Sequence, residues 1–321
     1  MKPKRKNKII VADLIKKFDF KIINKGKPNN RFITTSGVAR IGIELATSVE
    51  PWYKKQTNVV CFGSSELNYF KQSSKWSLIK MMDRVKKLNP PMIILNAAFK
   101  PEDIKNLMKA IGKTNIPITS LNMSSDNIYI ELSPWIAREL SPTTQFHGTL
   151  MSVFGIGVLI TGDSGTGKSE AAMELLKAGR MFIGDDAIEV YNYGHSIFGR
   201  PSDIAKQFME VRGLGILDVS RMFGWQATMQ ETQIHMIVHL VNPETSKKNL
   251  NEFERLGVSQ PKEKIRGVNI PKYFIPVTVG RPTASLIESA VIDFKMKKAG
   301  YNSAQTYLDN YDKVITKGVR K

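Results

Sequence analysis

The run Gly162-Asp163-Ser164-Gly165-Thr166-Gly167-Lys168-Ser169 is a complete G-x-x-x-x-G-K-[ST] loop, the spacing that cradles a polyphosphate. Glycines at 162, 165 and 167 permit positive φ angles, which bring backbone N–H groups close around one anion. Asp163, Ser164 and Thr166 fill the remaining nucleotide-binding positions. Lys168 is placed to reach the β- and γ-phosphate oxygens, and the Ser169 hydroxyl to complete a Mg²⁺ shell. A helix opening near Ser169 aims the positive end of its dipole at the same anion. A chance Gly-rich turn would lack the context present here, an apolar run before the loop (154–161) and good helix formers after it (170–177). The chemistry these residues imply is phosphoryl transfer from ATP with Mg²⁺.

Other groups fall within reach of that chemistry. Gly184-Asp185-Asp186 follows the next apolar run, 181–183. Carboxylates at a strand end beside such a loop hold Mg²⁺ or accept the proton of an attacking hydroxyl. A turn in which Asp bonds its own backbone would look similar, but two adjacent aspartates at this place favour the chemical role. The stretch 209–218 sets Glu210 and Arg212 among glycines, suited to metal and phosphate; a surface turn with a salt bridge fits that pattern equally well. His147 stands just before the strand feeding the loop and reads, on pattern alone, as a hydrogen-bonded structural residue. His235 and His239 are four apart in a β-branched run without the Glu of H-E-x-x-H, so they read as strand residues rather than zinc ligands.

The elements that must position these groups follow from periodicity. In the first part of the chain 59–62 reads as a buried strand closed by a turn at Gly63-Ser64-Ser65. Leu78, Met81, Met82, Val85 and Leu88 keep helical spacing up to Pro90-Pro91. Runs 92–95 and 116–118 read as strands flanking a helix from Pro101 to about Gly112. Alternating strand and helix predict a small α/β domain with a parallel sheet. The chain is expected to break near residue 134, at Ser133-Pro134 or at the Pro-containing stretch 141–145, with 135–140 as a connecting helix. That gives a first domain over 1–134 and a kinase-type α/β domain over 135–321. In the second, strands at 181–183, 188–191 and 234–241 surround the loop, and 284–298 forms the last helix.

Composition narrows the classes. The formal net charge of +18 is spread along the 321 residues, with one N-terminal run (Lys2, Lys4, Arg5, Lys6, Lys8), and reads as a solvated surface rather than a nucleic-acid footprint. A single cysteine, Cys61, cannot form an intrachain disulfide or a cysteine metal cluster, pointing to a reducing compartment. Apolar runs are too short for a signal peptide or a membrane span, so a cytoplasmic protein is expected.

His147-Gly148, the loop 162–169 followed by Glu170, Asp185-Asp186, and Glu210-Val211-Arg212-Gly213-Leu214-Gly215 come in one order and spacing that resembles the bifunctional HPr kinase/phosphorylase family of bacterial sugar-uptake regulation. Arg255-Leu256-Gly257 and 275–281 look like its later landmarks. The resemblance covers about 145–300 specifically and the first domain weakly. It implies phosphorylation of a serine in the small phosphocarrier protein HPr by ATP or pyrophosphate, and phosphorolysis that releases pyrophosphate. It implies that Asp186 is the shared acid and base, that Lys168 and His147 assist at the phosphates, that Ser169 and Glu210 bind Mg²⁺, and that Arg255 is an active-site arginine. Segments 209–218 and 276–281 would matter for catalysis, the second chiefly for phosphorolysis. It also implies a homohexamer and a kinase domain resembling that of phosphoenolpyruvate carboxykinase. Ala178-Gly179-Arg180-Met181 and Pro282-Thr283 depart from the family pattern, the latter because Pro fixes φ and removes a donor. Two other readings stay open: a P-loop kinase of a small hydroxyl metabolite, and a nucleic-acid-dependent ATPase.

Overall fold

The computed structural model describes residues 8–42, 56–202, 204–243, 260–278 and 280–318. They divide into two compact units that meet in sequence at Pro142 and Thr143. The division falls at the second of the two Pro-containing stretches. The first, Ser133-Pro134, lies inside a continuous helix, Ser125–Leu140, so 135–140 is the end of that helix rather than a separate connector. Pro134 is exposed there, on the same side as exposed Ile130, so the carbonyl that loses its helical donor can bond water instead.

In the first unit the strands Val38–Ala39, Val59–Phe62, Ile93–Leu95 and Ile118–Ser120 pair in parallel, and Lys21–Asn24 adds an antiparallel edge. Alternation along the strands sends side chains to two cores. Val60, Phe62, Ile93 and Leu95 pack with Met82 and Val85 of helix Lys75–Leu88 and Leu107 of helix Pro101–Ile111. Val59, Cys61 and Ile94 pack with Leu14, Ile128 and Leu132 on the other face. A sheet covered on both faces needs strands apolar throughout, which is how 59–62 and 93–95 read. Gly63-Ser64-Ser65 does not make a turn: Gly63 caps helix Ser64–Gln72, and the Glu66 carboxylate accepts the Gly63 N–H at 2.8 Å. The fourth parallel strand begins at Ile118 rather than Ile116, residues 116–117 supplying the approach to it.

The second unit stacks two sheets and a helical layer. Its six-stranded sheet runs in the order Met181–Gly184, Thr149–Val153, Ile156–Gly162, Met236–Val241, Val268–Pro276, Lys262–Ile265. Helices Lys168–Lys177 and Thr283–Lys298 pack on one face through Ala172, Leu175, Ile287 and Val291 against Val158, Ile160 and Val238. The other face, through Leu159, Ile183 and Ile237, meets Ile188, Val190 and Ile197 of a four-stranded antiparallel sheet, Thr232–Gln233, Ser196–Pro201, Ala187–Tyr193 and Thr143–His147. The run 154–161 is not one strand. Phe154 and Gly155 have φ of 51° and 79°, the left-handed pair of a tight hairpin turn between Thr149–Val153 and Ile156–Gly162. A further helix, Ser303–Gly318, follows the one expected to be last. No helix among the described residues is long and apolar enough to cross a membrane.

Candidate active site

Sheet direction decides what meets the loop 162–169. Ile156–Gly162 pairs parallel with Met236–Val241 and antiparallel with Thr149–Val153, which in turn is antiparallel to Met181–Gly184. The ends at Gly162 and Gly184 and the start at Thr149 therefore share one edge, where the carboxyl ends of such strands commonly hold ligands. Val241 and Pro276 end at that edge too, in strands parallel to Ile156–Gly162 and to each other.

The loop has the backbone its glycines allow. Gly165 and Gly167 sit at φ of 85° and 82°, and a Cβ at Gly162 would come within 2.7 Å of the Leu240 carbonyl oxygen. The Lys168 ammonium donates to the carbonyls of Gly162 at 2.9 Å and Asp163 at 3.0 Å, which holds it within the loop. An ammonium has three donors, so one is left for an anion. Helix Lys168–Lys177 starts at this point, with Glu170 in its first turn, and Gly179 at φ 78° ends it.

Beside the loop the two aspartates separate in role. Asp185 is buried and accepts two hydroxyl protons, from Thr149 Oγ1 at 2.6 Å and from Ser169 Oγ at 2.9 Å. Because a carboxylate only accepts, the Ser169 hydroxyl must donate, and its lone pairs stay free. Asp186 sits at φ 63°, in the left-handed region that Asp tolerates better than most residues. That backbone turns its side chain outward, where Oδ1 lies 3.7 Å from His147 Nδ1, both side chains largely exposed. The main chain reinforces the pair, since Gly148 N–H donates to the Asp186 carbonyl at 3.2 Å.

A two-stranded ribbon, Phe208–Val211 with Gly215–Asp218, supplies the other groups. Met209 and Val211 are buried against helix Lys168–Lys177, so Glu210 and Arg212 face outward. Arg212 Nη2 donates to Ser164 Oγ of the loop at 3.3 Å. Glu210 is exposed and has no hydrogen-bond or ion-pair partner among the described residues, so direct contact with Ser169 belongs to Asp185.

Two family models match the chain: the HPr Serine kinase N terminus over residues 9–136 and the HPr Serine kinase C-terminal domain over residues 138–311. The chain belongs to the HPr serine kinase family. A protein of Mycoplasma pneumoniae named HPr kinase/phosphorylase is 36% identical over 310 residues, covering 96% of this chain and 97% of its own length. One of the same name from Halalkalibacterium halodurans is 33% identical over 314 residues, covering 97% of this chain and 98% of its own. The solved structure of the Hpr(Ser) kinase/phosphatase from Coxiella burnetii is 30% identical and covers 51% of this chain and 98% of its own, with a TM-score of 0.46.

In this member of the HPr serine kinase family the structure brings together Gly162 to Ser169, and beside them His147 with Asp186. It adds three residues to which the sequence reading gave no definite role: Asp185, Thr149 and Arg212. The doubled Asp and the E-V-R alternation carried the signal for two of them; Thr149 had none. Arg255 lies outside the described residues, as does Val279 of the segment 276–281. His235 and His239 are committed to the fold: His235 Nδ1 accepts Gly157 N–H at 3.1 Å, and His239 Nδ1 lies 2.9 Å from Thr161 Oγ1.

Proposed function

We propose that the chain transfers the γ-phosphoryl of ATP to a serine of HPr and reverses that transfer by phosphorolysis with inorganic phosphate. The relatives' name supports HPr as acceptor, and both directions are in that name. The observation that carries the chemistry is one edge of one sheet holding a Lys168 loop, the Ser169–Asp185 pair and the exposed Asp186–His147 pair.

Asp186 is the only one of the two aspartates free to touch an acceptor, and it takes the serine proton as the serine oxygen bonds to the γ-phosphorus and the bridging oxygen leaves with ADP. In reverse, an oxygen of inorganic phosphate bonds to the phosphoserine phosphorus, the serine oxygen leaves and Asp186 returns a proton to it. The products are serine and pyrophosphate. His147 stands 3.7 Å from Asp186 and would assist at the phosphates with Lys168. Lys168, held in the loop, and Arg212, bonded to it at Ser164, would neutralise charge on the phosphoryl oxygens.

Mg²⁺ fits the donor set, since the Ser169 hydroxyl with free lone pairs and the Asp185 carboxylate beside it are hard oxygens, and bound phosphates would supply further ligands. Ser169 and Glu210 would hold it, with Asp185 orienting Ser169. Bound there, the ion would neutralise charge on the phosphates. Pyrophosphate as alternative donor and hexameric assembly rest on the family resemblance.

The test is incubation with γ-labelled ATP and HPr, then with phosphate. Label should pass to an HPr serine and leave as pyrophosphate. Label transfer to a small hydroxyl compound alone would favour a metabolite kinase.

A further inference from the structure

The outward face of the ribbon Phe208–Val211/Gly215–Asp218 carries more than charged groups. Register places Phe208 opposite Asp218 and Glu210 opposite Ile216, with Arg212 and Leu214 at the tip. Cross-strand partners share a face. Phe208, Leu214 and Ile216 are 43%, 70% and 74% exposed, whereas Met209 on the inner face is fully buried. The tip is built to present Leu214 outward, because Gly213 and Gly215 on either side both take φ of 83° and Leu214 N–H closes the turn on the Val211 carbonyl. An exposed apolar patch rimmed by charge commonly marks a protein-binding site.

We propose that Phe208, Leu214 and Ile216 form the docking and specificity surface for the serine-bearing acceptor protein, a reading that rests on the proposed function. Continuity with the site selects this occupant. The apolar residues surround Glu210 and Arg212, and Arg212 bonds the loop at Ser164, so a body seated on the ribbon lies beside the transferable phosphoryl group. A nucleotide or small metabolite in the loop has no need of a three-residue apolar surface beyond it. A second copy of the chain seated there would cover Glu210 and Arg212 and obstruct the site. Only an acceptor protein covers the patch and uses the site at once.

The double variant Leu214→Ser/Ile216→Ser tests this with HPr and ATP as substrates. The KM for HPr should rise at least about tenfold, with the KM for ATP within about twofold, as expected when apolar contacts to the acceptor are lost. The mass by light scattering should be unchanged. An unchanged KM for HPr overturns the assignment, as does a raised KM accompanied by a changed assembly mass, which would give the face to a second copy. Should the variant fail to fold, hydrogen exchange on the unmodified protein decides: HPr should protect ribbon amides 208–218, and no protection overturns the proposal. A wild-type chain unable to phosphorylate HPr overturns the function reading and the docking surface with it; an active wild type with an unaffected variant overturns the docking surface alone.

Discussion

At the scale of single residues, the site turns on two adjacent carboxylates doing different work. Asp185 is buried and spends both oxygens on Thr149 and Ser169, while Asp186 is thrown outward by one left-handed residue. Replacing Asp185 by Asn puts a donor where only an acceptor stood and lets the Ser169 hydroxyl reorient. Outer-shell partners of this kind typically change metal affinity or activity about 10- to 100-fold. The Asp185→Asn variant should therefore need correspondingly more Mg²⁺ for half-maximal kinase rate, which a Mg²⁺ titration measures; an unshifted titration would remove Asp185 from metal positioning. His235 offers a pH test. Burial, aided by the charge of Lys298, holds its pKa below the ordinary 6.5, so the native state keeps it neutral and uses Nδ1 as acceptor for Gly157 N–H. Below about pH 6.5 the unfolded chain takes up this proton more readily than the folded one, so stability falls as pH drops. Melting temperatures between pH 7.5 and 5.5 should decline less in His235→Asn, whose amide oxygen can accept the same N–H without titrating.

At the scale of elements, strands and helices with strong apolar spacing were legible: Val59–Phe62, Lys75–Leu88, Pro101–Ile111 and Met181–Gly184 lie close to where periodicity placed them. What escaped was set by local backbone or by tertiary context. Phe154 looks like a strand residue but takes a left-handed turn, its ring covered by the Arg180 guanidinium 3.9 Å away. Ser64 and Ser65 have turn composition, yet Glu66 caps a helix there. Helix Ser303–Gly318, by contrast, carries Tyr307, Leu308, Tyr311, Val314 and Ile315 at helical spacing, a signal that ending the helical pattern at 298 passed over. The loop 162–169 was legible because its chemistry fixes its letters; which Asp faced inward was not, because a single φ decides it. The interior strand Val59–Phe62 gives an element-scale prediction. Cys61 is buried, and burial pushes its thiol up to about 11. At pH 8 alkylation should stay slow until urea opens the first unit, then rise in step with unfolding measured by circular dichroism. Rapid stoichiometric labelling of the native protein would contradict the packing of that sheet.

At the scale of the whole molecule, the cores do not mix. Every buried residue of the first unit's two cores precedes Pro142, and every one of the second unit's follows Thr143. A chain beginning near residue 141 should fold and retain phosphoryl transfer, since all the groups assigned to the chemistry lie beyond that point. An insoluble or inactive fragment would make the first unit part of the catalytic assembly. The central claim, that one exposed carboxylate serves both directions, is tested most directly by Asp186→Asn. Asn tolerates the left-handed backbone at φ 63°, so the fold should be kept while proton uptake is lost. Rates of HPr phosphorylation by ATP and of phosphorolysis of phosphoserine-HPr should both fall about a hundred- to ten-thousandfold, with ATP affinity retained. Loss in one direction only, or full recovery of both at high Mg²⁺, would contradict a shared acid and base at Asp186.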